Sequence, residues 1–164
     1  MNYASFIAIF EKQVTELSVE RSLEFAQRVG HELLPEYRTF FQVHQWGDPV
    51  VLESSLALAE RSRGNLVDPT EMTEMLAKLE GVMPHMDNFG DFLSSYALNA
   101  CVAVYYLLQF LMDHKPEYIY NVGIAYTDTV DFKLADQDED ITDEELARHP
   151  QMLQAWNRIL EETR

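Results

Sequence analysis

Hydrophobic residues recur along most of the chain at intervals of three and four, the spacing that places side chains on one face of an α-helix. The first such series runs from Tyr3 to Leu17, and the last runs from Met152 to Leu160. No stretch shows the strict alternation of a half-buried strand. We therefore predict an all-α fold, a single compact bundle of about eight or nine helices in which residues 1–164 form one domain.

Several predicted helices begin at residues that favour a first helical turn. An N-cap side chain accepts a hydrogen bond from a free backbone N–H, and proline fits the first position because no N–H is needed there. Pro35 and Pro116 predict helix starts on this basis. Thr142 with Glu145 has the spacing of a capping box. The other predicted starts have the N-cap candidates Ser18, Asp48 and Asp68.

One helix-length window, residues 92–112, contains no Asp, Glu, Lys, Arg or His. Its apolar residues cover every face, which is typical of a helix surrounded by other helices. The window is also long enough to cross a bilayer. Its flanking residues Asp91 and Asp113 are acidic, whereas membrane flanks are usually basic on one side. We therefore predict a buried central helix and no membrane partner.

Charge is distributed unevenly and is strongly negative in total. The chain has 28 acidic and 12 basic residues, giving a net charge of −16 and an isoelectric point near 4.5. Such a surface repels phosphate backbones and attracts basic proteins, so we predict a basic protein partner and no nucleic acid. The lone Cys101 lies in the uncharged window, and the N-terminal residues lack a signal-peptide pattern. We expect a cytoplasmic location.

The densest negative charge lies between residues 136 and 145, which we call the acidic segment. Asp136, Asp138 and Asp140 have the spacing of a calcium loop, but Ile141 stands where that loop needs glycine. Two interpretations are open: a solvated surface with helix caps, or a docking surface for a cationic partner. The candidate partner-binding residues are Asp136, Asp138, Glu139, Asp140, Asp143, Glu144 and Glu145.

No other group of residues has the spacing of a catalytic or metal site. None of the five histidines pairs with another at helical spacing, and no phosphate loop or nucleophile elbow is present. His85, Asp87 and Asp91 share a connector and could converge, although loop acids before a helix are usually caps. We predict no enzymatic activity, no cofactor and no metal.

Three blocks of the sequence carry a family resemblance. They are residues 34–41 with Trp46-Gly47-Asp48, residues 83–89 with 97–103, and residues 142–146 with His149-Pro150 and Trp156. In order and spacing these blocks resemble the bacterial YjaG-like family, domain of unknown function 416. The resemblance implies an all-helical, cytosolic protein without an assigned reaction, and it supplies no catalytic residues.

The acidic segment leads to our first functional hypothesis, a non-enzymatic acidic binding protein. Its most concrete form is an immunity protein that neutralises a basic, nuclease-like bacterial toxin, because nuclease active sites are positively charged to hold phosphates. The alternative is a housekeeping cytosolic scaffold, and a homodimer is possible in that role. A third hypothesis, a cryptic metal-dependent enzyme, depends on the connector from His85 to Asp91.

Overall fold

The computed structural model describes all 164 residues and contains no strand. The elements are α1 (Tyr3–Glu16), α2 (Val19–His44), α3 (Pro49–Ser62), α4 (Pro69–Val82), a 3₁₀ turn (Met86–Asn88), α5 (Leu93–Asp113), α6 (Pro116–Gln137), α7 (Asp143–Leu146) and α8 (Pro150–Glu162). Eight α-helices confirm the predicted all-α fold. Side chains of Ser18, Asp48, Asp68 and Thr142 accept hydrogen bonds from the first helical turns, as predicted.

Helix α5 is the central helix. Thirteen of its 21 residues are buried, and it packs most extensively against α2 and α6, with α3 and α4 also in contact. By length and composition α5 could cross a bilayer, yet 67% of its most apolar window is buried inside the molecule. Packing within the bundle therefore accounts for the uncharged window.

Helix α2 contradicts one predicted boundary. The sequence predicts a helix start at Pro35, but α2 continues through this residue from Val19 to His44. Proline inside a helix removes one hydrogen bond and costs roughly 3 kcal/mol. Burial of Leu34, Tyr37 and Phe40 beside it offsets this cost, because each buried side chain of that size contributes about 1.5–3 kcal/mol.

A tight corner after α2 fixes the entry to α3. The hydroxyl of buried Tyr37 donates a hydrogen bond to the Val82 carbonyl (2.8 Å) and accepts one from the Asp48 backbone N–H (3.2 Å). Gly47 has φ +86°, and a Cβ here would lie 2.0 Å from the Tyr37 hydroxyl. Only glycine suits this position, and the corner ties α2, α3 and the end of α4 together.

Helix α8 is held by apolar contacts on one side and ion pairs on the other. Its Trp156 ring stacks on Phe6 of α1, with centroids 5.5 Å apart. Arg158 makes two contacts with the Glu32 carboxylate of α2, at 2.8 and 2.7 Å. The chain end is thereby fixed over α1, α2 and α6, beside the acidic segment.

Candidate functional site

All seven predicted partner-binding residues are exposed and follow one another along a single stretch of surface chain. Asp136 lies in the last turn of α6, Asp138 caps the end of that helix, and Asp143 begins α7. The remaining four residues lie between or beside these positions: Glu139, Asp140, Glu144 and Glu145. The structure thus brings the predicted carboxylates to the surface as one continuous segment.

Three of these carboxylates also have local structural roles. The Asp136 carboxylate accepts a hydrogen bond from the Tyr96 hydroxyl (3.2 Å), and Asp138 accepts one from the Asp140 N–H (3.2 Å). Glu145 closes the capping box by accepting hydrogen bonds from the Thr142 N–H and hydroxyl, at 3.0 and 2.7 Å. The bond from the backbone N–H and then the bond from the hydroxyl lower the pKa of Glu145.

Cations of the same molecule neutralise the acidic segment only at one point. Glu144 forms an ion pair with Arg148 (2.7 Å), and both side chains are more than 70% exposed. Such a pair is weak in water. Lys133, the one base between residues 128 and 145, forms its ion pair with Glu36 of α2 instead. Most of the segment's charge is therefore available to another molecule.

A cavity of about 280 Å³ lies beside the acidic segment, between α1, α6, α7 and α8. Its polar wall consists of three carboxylates, Asp128 and Asp131 from α6 and Asp143 from α7. Its apolar wall includes Tyr3 and Trp156, whose ring centroids are 6.0 Å apart. Asp143 belongs to both the cavity and the acidic segment, so the two features form one negative region.

The carboxylates of this cavity repel one another and are partly removed from water. Burial, reinforced by neighbouring Asp131, raises the pKa of Asp128 to about 6. Burial and then Asp143 raise the pKa of Asp131. Burial and then the charges of Asp128 and Asp131 raise the pKa of the Tyr3 hydroxyl. No cation of this chain relieves the repulsion, which is unfavourable for the molecule alone.

The sequence-based prediction missed Asp128 and Asp131 as members of a site. They are three residues apart on α6, and Asp128 stands between the buried residues Thr127 and Thr129. The available signal in the sequence was an acidic residue between two positions that face the core, which indicates a partly buried carboxylate. The cavity's aromatic wall, by contrast, comes from both ends of the chain, and no local pattern links Tyr3 to Trp156.

The connector predicted as an alternative site is divided. Asp91 contacts His44 of α2, with its Oδ2 2.9 Å from the imidazole Nε2, and does not line the cavity that contains His85 and Asp87. His85 and Asp87 line a separate cavity of about 400 Å³ together with Glu80. No three His, Cys, Asp or Glu side chains of the chain have the spacing to hold a metal ion.

Comparison with known proteins agrees with the fold and with the resemblance. The family described as "Protein of unknown function (DUF416)" matches residues 9–161. A crystal structure of a DUF416 family protein from Shewanella baltica OS155 is 27% identical to this chain, with a TM-score of 0.79, and the alignment covers 94% of this chain and 83% of that one. No curated protein matches. The chain belongs to the DUF416 family.

Proposed function

We propose that this protein is a non-enzymatic binding protein whose acidic segment docks on a basic protein, and that its partner is a nuclease-like bacterial toxin. One observation carries the proposal. Within ten residues, 136–145, seven exposed carboxylates have only one intramolecular ion pair between them. Exposed charge of one sign that is not neutralised within the molecule steers encounter with a surface of the opposite sign.

The electrostatic reasoning follows from what such a toxin must bind. A nuclease holds phosphates with Lys and Arg side chains, so its active site attracts an acidic protein over long range. A net charge of −16 increases the rate of encounter, and the acidic segment directs the orientation. An immunity protein bound in this way covers the toxin's active site and keeps nucleic acid out.

The alternative role, a housekeeping scaffold that forms a homodimer, is supported by a different observation. Three apolar side chains near the α2–α3 corner are exposed: Val43, Trp46 and Val50. These residues are close along the chain, and exposed apolar residues that form a contiguous patch mark protein interfaces. Sedimentation at micromolar concentration separates the two roles, since a scaffold of this kind is a dimer without any partner.

The test of the proposal is growth rescue. The protein is co-expressed with the product of the adjacent reading frame in its genome, and host growth is measured. We expect rescue by the natural chain and its loss in a variant with four acids neutralised: Asp138→Asn, Glu139→Gln, Asp140→Asn and Glu144→Gln. These substitutions spare the capping box, the Tyr96 hydrogen bond and the cavity.

A matched control removes the same amount of charge elsewhere. It neutralises four exposed acids outside the acidic segment: Glu20→Gln, Glu74→Gln, Asp87→Asn and Glu161→Gln. Rescue by the control but not by the four-acid variant supports docking through the segment. Equal rescue by both variants, or no toxicity to rescue, contradicts the proposal.

A further inference from the structure

The cavity between α1, α6, α7 and α8 is small and combines an apolar wall with a negative one. Its volume of about 280 Å³ is slightly below the range of about 300–1,000 Å³ typical of small-molecule sites. The apolar wall of Tyr3 and Trp156 can pack against a methylene stem, and the carboxylates lie at the other wall. Lys and Arg have this combination of an apolar stem and a charged head.

The carboxylates of the cavity lack the partners that half-buried charges normally have. Burial and repulsion from Asp131 act on Asp128, and burial and repulsion from Asp143 act on Asp131, with no hydrogen bond or cation to offset them. Their arrangement with Asp143 does not suit a metal ion, which needs ligands at short, fixed distances. An ammonium or guanidinium group has several donors and reaches carboxylates that are further apart.

The apolar wall contains a buried aromatic ring whose polar atom has no partner. Trp156 lines the cavity and is only 2% exposed, yet its indole Nε1–H has no hydrogen-bond acceptor. A buried N–H without a partner is unfavourable and rare in folded proteins. This N–H is itself shielded from solvent, so a ligand in the cavity meets the carboxylates and the carbon atoms of the aromatic wall. A ligand that completes this site therefore brings positive charge for the carboxylates and an apolar stem for the rings.

We propose that this cavity receives a single Lys or Arg side chain of the basic partner, as the anchor of the docked complex. The charged head of such a side chain meets the three carboxylates, and its methylene stem packs against Tyr3 and Trp156. This inference rests on the proposed function and names the contact that follows electrostatic encounter. The acidic segment attracts the partner, and Asp128, Asp131 and Asp143 hold one of its residues.

The test is a titration of the full chain, followed by NMR of the tryptophan indole N–H groups. The chain has two tryptophans, so Trp46 is an internal control. The probes are acetylated, amidated tripeptides with arginine or lysine between two glycines, and a citrulline tripeptide of the same shape without charge. We expect a saturable shift of the Trp156 indole signal with the cationic peptides, and no shift of Trp46.

Two variants and a control locate the binding site. Asp128→Asn and Asp131→Asn should each raise the Kd of the cationic peptides by up to about fivefold, the upper range for one carboxylate–cation contact. Asp87→Asn, an exposed acid of the other cavity, should leave binding unchanged. Equal shifts with the citrulline peptide, parallel shifts of both indoles, or unaltered binding by Asp128→Asn would overturn the inference.

Failure here is distinguishable from failure of the proposed function. The four acids neutralised in the growth experiment do not line the cavity, and the tripeptides are too small to need long-range steering. Absent peptide binding with growth rescue still dependent on the acidic segment overturns the anchor alone. If the peptides bind beside Trp156 but the adjacent reading frame encodes neither a binding partner nor a toxin, the immunity role is overturned and the cavity remains a site for cationic side chains.

Discussion

Asp128 is the residue at which the stability of this protein and its proposed role are most clearly opposed. Its carboxylate is half-buried on α6 beside Asp131, with Tyr3 of α1 and Asp143 of α7 around the same cavity. Tyr120 is also nearby, since burial and then the charges of Tyr3, Glu11 and Asp128 raise the pKa of its hydroxyl. No cation faces it. A charge in this position is unfavourable for folding and favourable for binding a cation.

Neutralising this charge should stabilise the protein at neutral pH. A pKa raised from 3.8 to about 6 corresponds to roughly 3 kcal/mol at full effect, and solvent screening at this partly open site reduces it to about 1 kcal/mol. Asp128→Asn should therefore raise the free energy of unfolding by about 1 kcal/mol at pH 7. Urea denaturation measures it, with Asp87→Asn as the control.

The pH dependence of this effect has a definite sign. Because the folded-state pKa of Asp128 is raised, protonation favours the folded state, and this contribution is complete below the unfolded value of 3.8. It is lost as the pH rises through about 6. The stability difference between Asp128→Asn and the natural chain should be near zero at pH 3.5 and largest above pH 6.5. A difference independent of pH would refute the burial of this charge.

At the residue scale, some features could be predicted from the sequence and others could not. Cys101 is buried in the predicted central helix, and burial raises the pKa of its thiol. The seven acids of the acidic segment could be named because charge density is a local property of the sequence. Asp128 and Asp131 could not, because their environment depends on Tyr3 and Trp156, which only the tertiary fold brings to α6.

Among the elements, boundaries set by local capping chemistry were predictable. Ser18, Asp48 and Thr142 act within a single turn, so their hydrogen bonds could be anticipated from neighbouring residues. Pro35 could not be judged in this way. Proline is tolerated inside α2 because the helix packs against other helices, chiefly α5. Helix propensity considers only neighbouring residues, so it cannot predict the effect of this packing.

Two glycines in helices test how tightly the elements pack. A Cβ at Gly123 of α6 would lie 2.3 Å from the Phe10 ring of α1, whereas a Cβ at Gly81 of α4 would meet nothing within 4 Å. Gly123→Ala should lower the free energy of unfolding by about 1–3 kcal/mol because Phe10 must move. Gly81→Ala should raise it by about 0.5–1 kcal/mol through helix propensity.

Thermal and urea denaturation of these two variants give the comparison directly. The pair is matched in chemistry, since each adds one methyl group to a helical glycine. Opposite signs are expected because only Gly123 faces another helix. Equal effects of the two substitutions would mean that α1 does not approach α6 as closely as the structure shows.

For the molecule as a whole, excess negative charge opposes folding. The chain has 28 acids and 12 bases, so repulsion between like charges exceeds the stabilisation by exposed ion pairs, each worth about 0–1 kcal/mol. Raising the salt concentration shortens the screening length from about 30 Å at 0.01 M to about 8 Å at 0.15 M. The free energy of unfolding should therefore rise by on the order of 1 kcal/mol, which corresponds to an increase of about 2–4 °C in Tm.

Differential scanning calorimetry in sodium chloride measures this shift. The control is a variant with its net charge reduced by the four substitutions Glu20→Gln, Glu74→Gln, Asp87→Asn and Glu161→Gln, which should respond less to salt. A Tm that falls on adding salt would show that the ion pairs, chiefly those of Arg28 and Arg158, outweigh the repulsion.

The association rate constant with the product of the adjacent reading frame tests the central claim most directly. At 0.01 M and 0.15 M salt, the rate should fall steeply with salt for the natural chain. Neutralising Asp138, Glu139, Asp140 and Glu144 should slow association by about tenfold at low salt, and the matched control by about twofold or less. Equal slowing by both variants, or a rate independent of salt, would contradict docking through the acidic segment.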